Sequence, residues 1–163
     1  MNIPRDKLIY VDESGLDKPV YREYGRNTIG SKVYADITGK RFNRTSIISG
    51  YSATLKILIA PYIYEGYTDT NFFNCWIEQK LVPELTKGQV IIIDNASFHK
   101  SERAINLVEQ ASCKIIFLPP YSPDLNPIEQ QWSILKQRLR NNPKHQERFL
   151  DTLIEEINYM SRI

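Results

Sequence analysis

Apolar and polar residues follow two rhythms along this chain. Near the start, "KLIYVDES" sets four consecutive apolar or aromatic residues before a pair of acids, predicting a strand that gives way to a turn at Gly15. "TSIISGYSA" and "KILIAPYIYEG" are β-rich and separated by little, which predicts antiparallel neighbours. "QVIIIDNAS" and "CKIIFLP" are apolar runs of the kind found in strands buried on both faces. Between and after these runs the period changes to that of a helix. "TDTNFFNCWIEQKLVPEL" places Phe72, Phe73, Trp76, Ile77 and Leu81 on one side, with Thr68 or Thr70 as its cap and Pro83 at its end. "SERAINLVEQ" does the same with Ala104, Ile105, Leu107 and Val108, and two further helices are expected from about Pro127 to Arg140 and from about Gln146 to Met160. Strands that first meander and later alternate with helices predict an α/β fold, a mixed sheet with helices on both faces.

Composition places this pattern in one soluble globular domain, residues 1–163, with 42% hydrophobic and 25% charged residues. A chain of this length buries roughly 70% of its unfolded surface and needs no metal or disulfide to hold a core. Cys75 and Cys113 lie far apart without clustered histidines, which argues against a zinc site and a disulfide framework and fits a reducing compartment. No apolar run approaches the ~20 residues of a membrane span, and "MNIPRDK" has no apolar signal region. The expectation is a cytoplasmic protein without a membrane partner. The net charge of +2 says little about partners. Two local clusters say more: Arg22, Arg26, Lys32, Lys40, Arg41 and Arg44, and then Lys136, Arg138, Arg140, Lys144 and Arg148. Either can meet phosphates; for either alone a solvated face is the favoured reading.

Candidate chemistry comes from carboxylates. "LIYVD" delivers Asp12 and "VIIID" delivers Asp94, each closing an apolar run. Ligands collect beyond the carboxyl ends of parallel strands, where the backbone releases side chains into a crevice. On adjacent strands the two aspartates face each other across ~5 Å of sheet spacing. Two carboxylates so close do not both ionise cheaply without a cation between them, and magnesium characteristically takes one or two carboxylates plus substrate phosphate oxygens. A single aspartate there would read as a turn residue bonding the next amides. Two of them, with Glu129 also on offer, shift the balance toward chemistry. Glu129 lies in "FLPPYSPDLNPIEQQWSILK", where Asn126 suits an N-cap, Pro127 the first helical position, and Glu129 the third, reaching back to the cap. Ile128, Trp132, Leu135 and Leu139 form the apolar line of that helix, with Glu129 beside it.

Together, "VDESG", "IIIDNASFHK" and "FLPPYSPDLNPIEQQWSILK" resemble the three catalytic motifs of the mariner superfamily of DDE transposases, particularly its bacterial insertion-sequence branch. The 34 residues between Asp94 and Glu129 match that family's spacing with glutamate as third acid, and the likeness runs from about Leu8 to Arg140. The resemblance implies a ribonuclease H-like fold, a five-stranded mixed sheet with helices on both faces. It implies Asp12, Asp94 and Glu129 as catalytic residues holding two Mg2+ ions, for which Mn2+ substitutes. The implied activity is cleavage at transposon ends and strand transfer into TA-containing target DNA, carried out by a homodimer at the bacterial nucleoid. Family members normally carry helix-turn-helix modules ahead of the catalytic domain. With Asp12 so near the start, such modules are expected to be absent, as in a fragment, a split product or a decayed copy.

Other residues are weaker candidates. Glu13 alternates to the opposite face from Asp12 and reads as a surface or structural acid. Asp124 reads as stabilising the bend, and Trp132 as core. His99 can contact a phosphate or move a proton, or simply pack at a helix start. Asn95 can orient Asp94. Tyr121 can stack on a base. Lys40, Arg41, Arg44 and Lys136, with His99, are the candidate DNA contacts. The competing functions are another ribonuclease H-like nuclease and a non-catalytic nucleic-acid-binding or assembly domain.

Overall fold

The fold is described from a computed structural model, which covers residues 3–16, 44–120, 122–142, 144 and 148–162. Lys40, Arg41, Tyr121 and most of the first basic cluster lie outside these residues. Five strands form one sheet in the order β3-β2-β1-β4-β5: β1 (Leu8–Leu16), β2 (Thr45–Ser52), β3 (Ile57–Glu65), β4 (Val90–Ile93) and β5 (Lys114–Phe117). β1, β2 and β3 pair antiparallel, as the short connection predicts, whereas β1–β4 and β4–β5 are parallel. The parallel pairs need crossovers, supplied by α1 (Thr70–Trp76), which runs on through a π-turn at Ile77–Leu81, and by α2 (Glu102–Gln110). Two further helices, α3 (Ile128–Asn141) and α4 (Phe149–Met160), follow β5.

Helices cover both faces because the strands are apolar on both. Ile9, Val11, Ile91 and Ile93 pack with Phe73, Trp76, Ile77, Leu81, Ala104 and Val108 on the α1–α2 side. Leu16, Ile47, Tyr51 and Leu58 pack with Ile128, Trp132, Leu135, Leu139, Leu153 and Ile157 on the α3–α4 side. β1 therefore alternates, its odd residues 9 and 11 toward α1 and its even residues 10 and 16 toward α3. No helix among the described residues is long and apolar enough to cross a membrane.

Several local expectations need correction. β1 does not end at Asp12, and Gly15 is not a turn: the strand continues to Leu16 because β2 pairs with it from Ile9 to Leu16. β5 is an edge strand with Ile116 41% exposed, not a doubly buried one. The cap of α1 is Asp69, whose side chain accepts from the Phe72 amide at 2.7 Å, in place of Thr68 or Thr70. Pro83 falls within the 3-10 turn that finishes the helix.

Candidate active site

The parallel ladder between β1 and β4 stops at Tyr10 and Ile92. Continuing its register by two residues would set Asp12 opposite Asp94, but there the strands part. β1 stays with β2, while β4 ends at Ile93 and turns into a loop. The parting opens a cleft of about 340 Å3, with Asp12, Asp94, Asn95 and Glu129 on its polar side and Leu118, Pro119 and Pro120 on its apolar side. All three acids singled out from the sequence reach this one cleft.

Asp12 faces α3. Its Oδ2 accepts from the buried Trp132 indole Nε1 at 3.0 Å. Burial first, then the charges of Glu129 and Glu13, push the Asp12 carboxyl up to about 8, despite backbone and Trp132 hydrogen bonds that favour its ionised form. Asp94 is held the other way. Its Oδ1 accepts from His99 Nδ1 at 2.6 Å and from the Ala96 amide at 3.0 Å. The His99 hydrogen bond is the main reason its carboxyl lies below the ordinary value, outweighing partial burial.

Glu129 arrives on α3, though not at the position its motif suggests. The helix starts at Ile128, so Glu129 is its second residue and Pro127 occupies the cap position. Asn126 makes no side-chain cap. Its Nδ2 instead donates to the Val11 carbonyl at 3.3 Å, stitching the pre-helical bend to β1 beside Asp12. Its buried Oδ1 has no partner among the described residues. Asp124 lies in the 3-10 turn Pro123–Leu125 that forms the bend.

His99 is not available to DNA. It is 1% exposed, packed against the Phe73 and Phe98 rings, and both its nitrogens meet carboxylates: Asp94 and, at 2.9 Å from Nε2, Glu13. Burial opposes its charge, but hydrogen bonds to Asp94 and Glu13 win and raise its pKa to about 9. Glu13 is thus an ion-pair partner and not a free surface acid. Arg44 lies outside the cleft, its guanidinium over the Tyr67 ring at 5.1 Å and close against Gly15. Lys136 is half-buried on α3, seven residues and so about 10 Å along the axis from Glu129. In the second basic cluster Arg138 pairs with Glu156 at 3.2 Å and Arg148 with Asp151 at 3.2 Å, so both are partly neutralised.

Sequence reasoning missed the contact of Glu13 with His99, that of Asn126 with Val11, and the polar role of Trp132. For Trp132 a signal existed, since a buried indole N–H must find an acceptor and this one lies one helical turn from Glu129. For Glu13 there was only the alternation that sent it away from Asp12.

A mixed five-stranded sheet with helices on both faces, and acids gathered where parallel strands end, define a ribonuclease H-like core. The family model described as "DDE superfamily endonuclease" matches residues 7–153, and the chain belongs to that family. Among curated protein sequences, none matches it. Among solved structures, the Mos1 transposase paired-end complex with left transposon end superposes with a TM-score of 0.61 at 14% identity, covering 96% of this chain and 52% of that one. The Mos1 transposase catalytic domain with raltegravir and Mg gives 0.63 at 14% identity, covering 96% and 73%. The catalytic core domain of BIV integrase gives 0.51 at 14% identity, covering 83% and 70%. The chain thus spans about half the length of the Mos1 transposase in its DNA complex. At these identities the likeness establishes the shared fold.

Proposed function

We propose that this chain is the catalytic domain of a transposase of the bacterial insertion-sequence branch of the mariner superfamily. It cuts DNA at transposon ends and joins the freed 3′ end to a TA-containing target by in-line displacement at phosphorus. The observation that carries this reading is the convergence of Asp12, Asp94 and Glu129 on one cleft where β1 and β4 part.

The donor set fits a hard divalent cation. All three groups are carboxylates, and the ionisation of Asp12 is resisted first by burial and then by Glu129, a repulsion that a cation would relieve. Among the described residues no three such groups stand close enough to hold a metal unaided. Magnesium takes few protein ligands and completes its shell with water and substrate phosphate oxygens. Asp12, Asp94 and Glu129 would hold two Mg2+ ions, with Mn2+ as substitute. When bound, the ions supply activation of the attacking oxygen and stabilisation of the leaving one.

The remaining work belongs to the chain itself. Trp132 fixes one oxygen of Asp12, and His99 with the Ala96 amide fixes one oxygen of Asp94. Asn126 and the proline bend seat the first turn of α3 against β1, so Glu129 meets the cleft from a rigid helix. DNA follows the cleft through its phosphates, with Lys40, Arg41, Arg44 and Lys136 as candidate contacts. Residues 1–163 act as one catalytic domain, two copies pair two ends, and the work is done at the nucleoid of a bacterial cytoplasm.

The test is Mg2+-dependent cleavage and joining of transposon-end DNA by the full chain and by its Asp94→Asn variant. The account expects both activities in the wild type and a loss of at least a hundredfold in the variant. Cleavage of an RNA–DNA hybrid without joining would instead identify another ribonuclease H-like nuclease. Equal behaviour of variant and wild type would identify a non-catalytic domain.

A further inference from the structure

Asp12 and Glu13 are neighbours on β1 that leave the sheet on opposite faces. Asp12 turns to the cleft and α3. Glu13 turns to the α1 side, where Oε1 lies 2.9 Å from His99 Nε2. The other ring nitrogen is 2.6 Å from Asp94 Oδ1. Three side chains therefore form one continuous chain, Glu13–His99–Asp94, linking β1 to the loop after β4. It crosses where the β1–β4 ladder has ended at Tyr10 and Ile92. No backbone bond of that ladder fixes the spacing of the two strands at the level of the acids; this side-chain bridge does.

The bridge is rigid. The imidazole has no exposed side-chain surface, and it packs against Phe73, at 4.7 Å between ring centroids, and Phe98, at 4.2 Å. Rotating the ring would point carbon atoms at both carboxylates. An ionised carboxylate only accepts hydrogen bonds, so the ring meets two ionised partners by donating from both nitrogens. The Glu13 side chain is 16% exposed, and burying an acid to that degree is costly without a charged partner. Asp94 Oδ1 is occupied twice, by His99 and by the Ala96 amide. Its second oxygen is the one left to face the cleft.

We propose that Glu13 is a positioning residue for Asp94: acting through His99, it locks the ring that holds Asp94 Oδ1 and so presents Oδ2 alone to a cation in the cleft. This inference rests on reading the cleft as a divalent-metal site. It gives the acid beside Asp12 a part in the site from the opposite face of the sheet, without contact with metal or DNA.

Three variants of the full chain separate the possibilities. Glu13→Ala removes the acceptor. Glu13→Asp keeps the charge but is one methylene too short to reach His99. Glu13→Gln loses the charge and keeps the acceptor. Mn2+ affinity, read by electron paramagnetic resonance, is expected to fall about tenfold in Glu13→Ala and Glu13→Asp, the scale typical of groups that orient a metal ligand, and to return to within about threefold of wild type in Glu13→Gln. DNA cleavage should follow in kcat, with the KM for DNA unchanged. His99 is one of only two histidines, so its ring nitrogen resonances are separable, and Mg2+ near the wild-type dissociation constant should shift them in wild type and Glu13→Gln far more than in Glu13→Asp.

Melting temperatures in EDTA serve as the structural control, and if Glu13→Ala does not fold, the Asp and Gln pair still decides. Wild-type Mn2+ affinity in Glu13→Asp, with only the melting temperature lowered, would make the bridge a fold brace and overturn the proposal while leaving the metal reading intact. Equal losses in Asp and Gln would also overturn it, since an acceptor in place would then count for nothing. Absence of Mn2+ binding by the wild type would overturn the metal reading, and this proposal with it.

Discussion

Asp12 carries the heaviest electrostatic load in the cleft. Its carboxyl rises from 3.8 to about 8 through burial, Glu129 and Glu13. The folded protein therefore keeps a proton there that the unfolded chain has already released, and stability falls as pH rises through that window. His99 adds to the trend. Its pKa is raised from 6.5 to about 9, so its stabilising pairing is full below 6.5 and lost as pH rises through about 9. Asp94 acts only at the acid end, its contribution present above 3.8 and lost as pH falls through its lowered pKa. Metal-free protein should thus be less stable near pH 9 than near pH 6 by denaturant unfolding in EDTA. Asp12→Asn should flatten much of that difference, raising stability at the alkaline end by ~2 kcal/mol. An unchanged pH slope in the variant would show that Asp12 ionises freely. Trp132→Phe makes a second residue-level test, removing one donor from Asp12 while keeping an aromatic ring in the core. It should cost ~1–3 kcal/mol and, by pushing the Asp12 pKa higher still, move Mg2+ binding to higher pH.

Elements place these residues, and they differ in how plainly the sequence announces them. The apolar run at Val90–Ile93 fills a central parallel strand buried on both faces, and its pattern says so. Lys114–Phe117 carries a similar run yet lies at the edge, because local hydrophobicity does not record which strands a segment will pair with. The same limit hides the extent of β1: the sequence reads as giving way to a turn at Gly15, and only the register with β2 makes Gly15 and Leu16 strand. The three cleft acids stand out because each ends an apolar run or opens a helix. The Glu13–His99 contact spans 86 residues and joins β1 to the segment after β4, so no local pattern could reveal it. Asn126 is the instructive intermediate. It has the chemistry of a cap and the right place for one, but tertiary structure spends its amide on Val11. Asn126→Ala should therefore cost ~1 kcal/mol in a denaturant midpoint, as a lost buried hydrogen bond and not a lost cap. It should also weaken Mg2+ binding by loosening Glu129. Undiminished Mg2+ affinity would show that α3 is seated by Trp132 and its apolar neighbours alone.

For the whole molecule, a net charge of +2 and the arginine pairs among the described residues, Arg103–Glu78, Arg138–Glu156 and Arg148–Asp151, leave little long-range pull on DNA. Binding through phosphates should be micromolar or weaker at physiological salt and fall steeply between ~50 and ~200 mM salt, which a fluorescence-anisotropy titration would read directly. Tight, salt-insensitive selection of one terminal sequence would mean that the domain reads bases by means the cleft does not explain. The shared architecture with the Mos1 catalytic domain and BIV integrase core accounts for the sheet and its helices. The chemistry depends on whether the three acids act on one cation site. Manganese-soaked crystals of the chain with a short transposon-end duplex, measured at the manganese absorption edge, address that directly. The account predicts an anomalous peak between Asp12 and Asp94, within ~2.2 Å of a carboxylate oxygen of each and with Glu129 turned toward it. A DNA-bound cleft at saturating manganese with no peak there would contradict it.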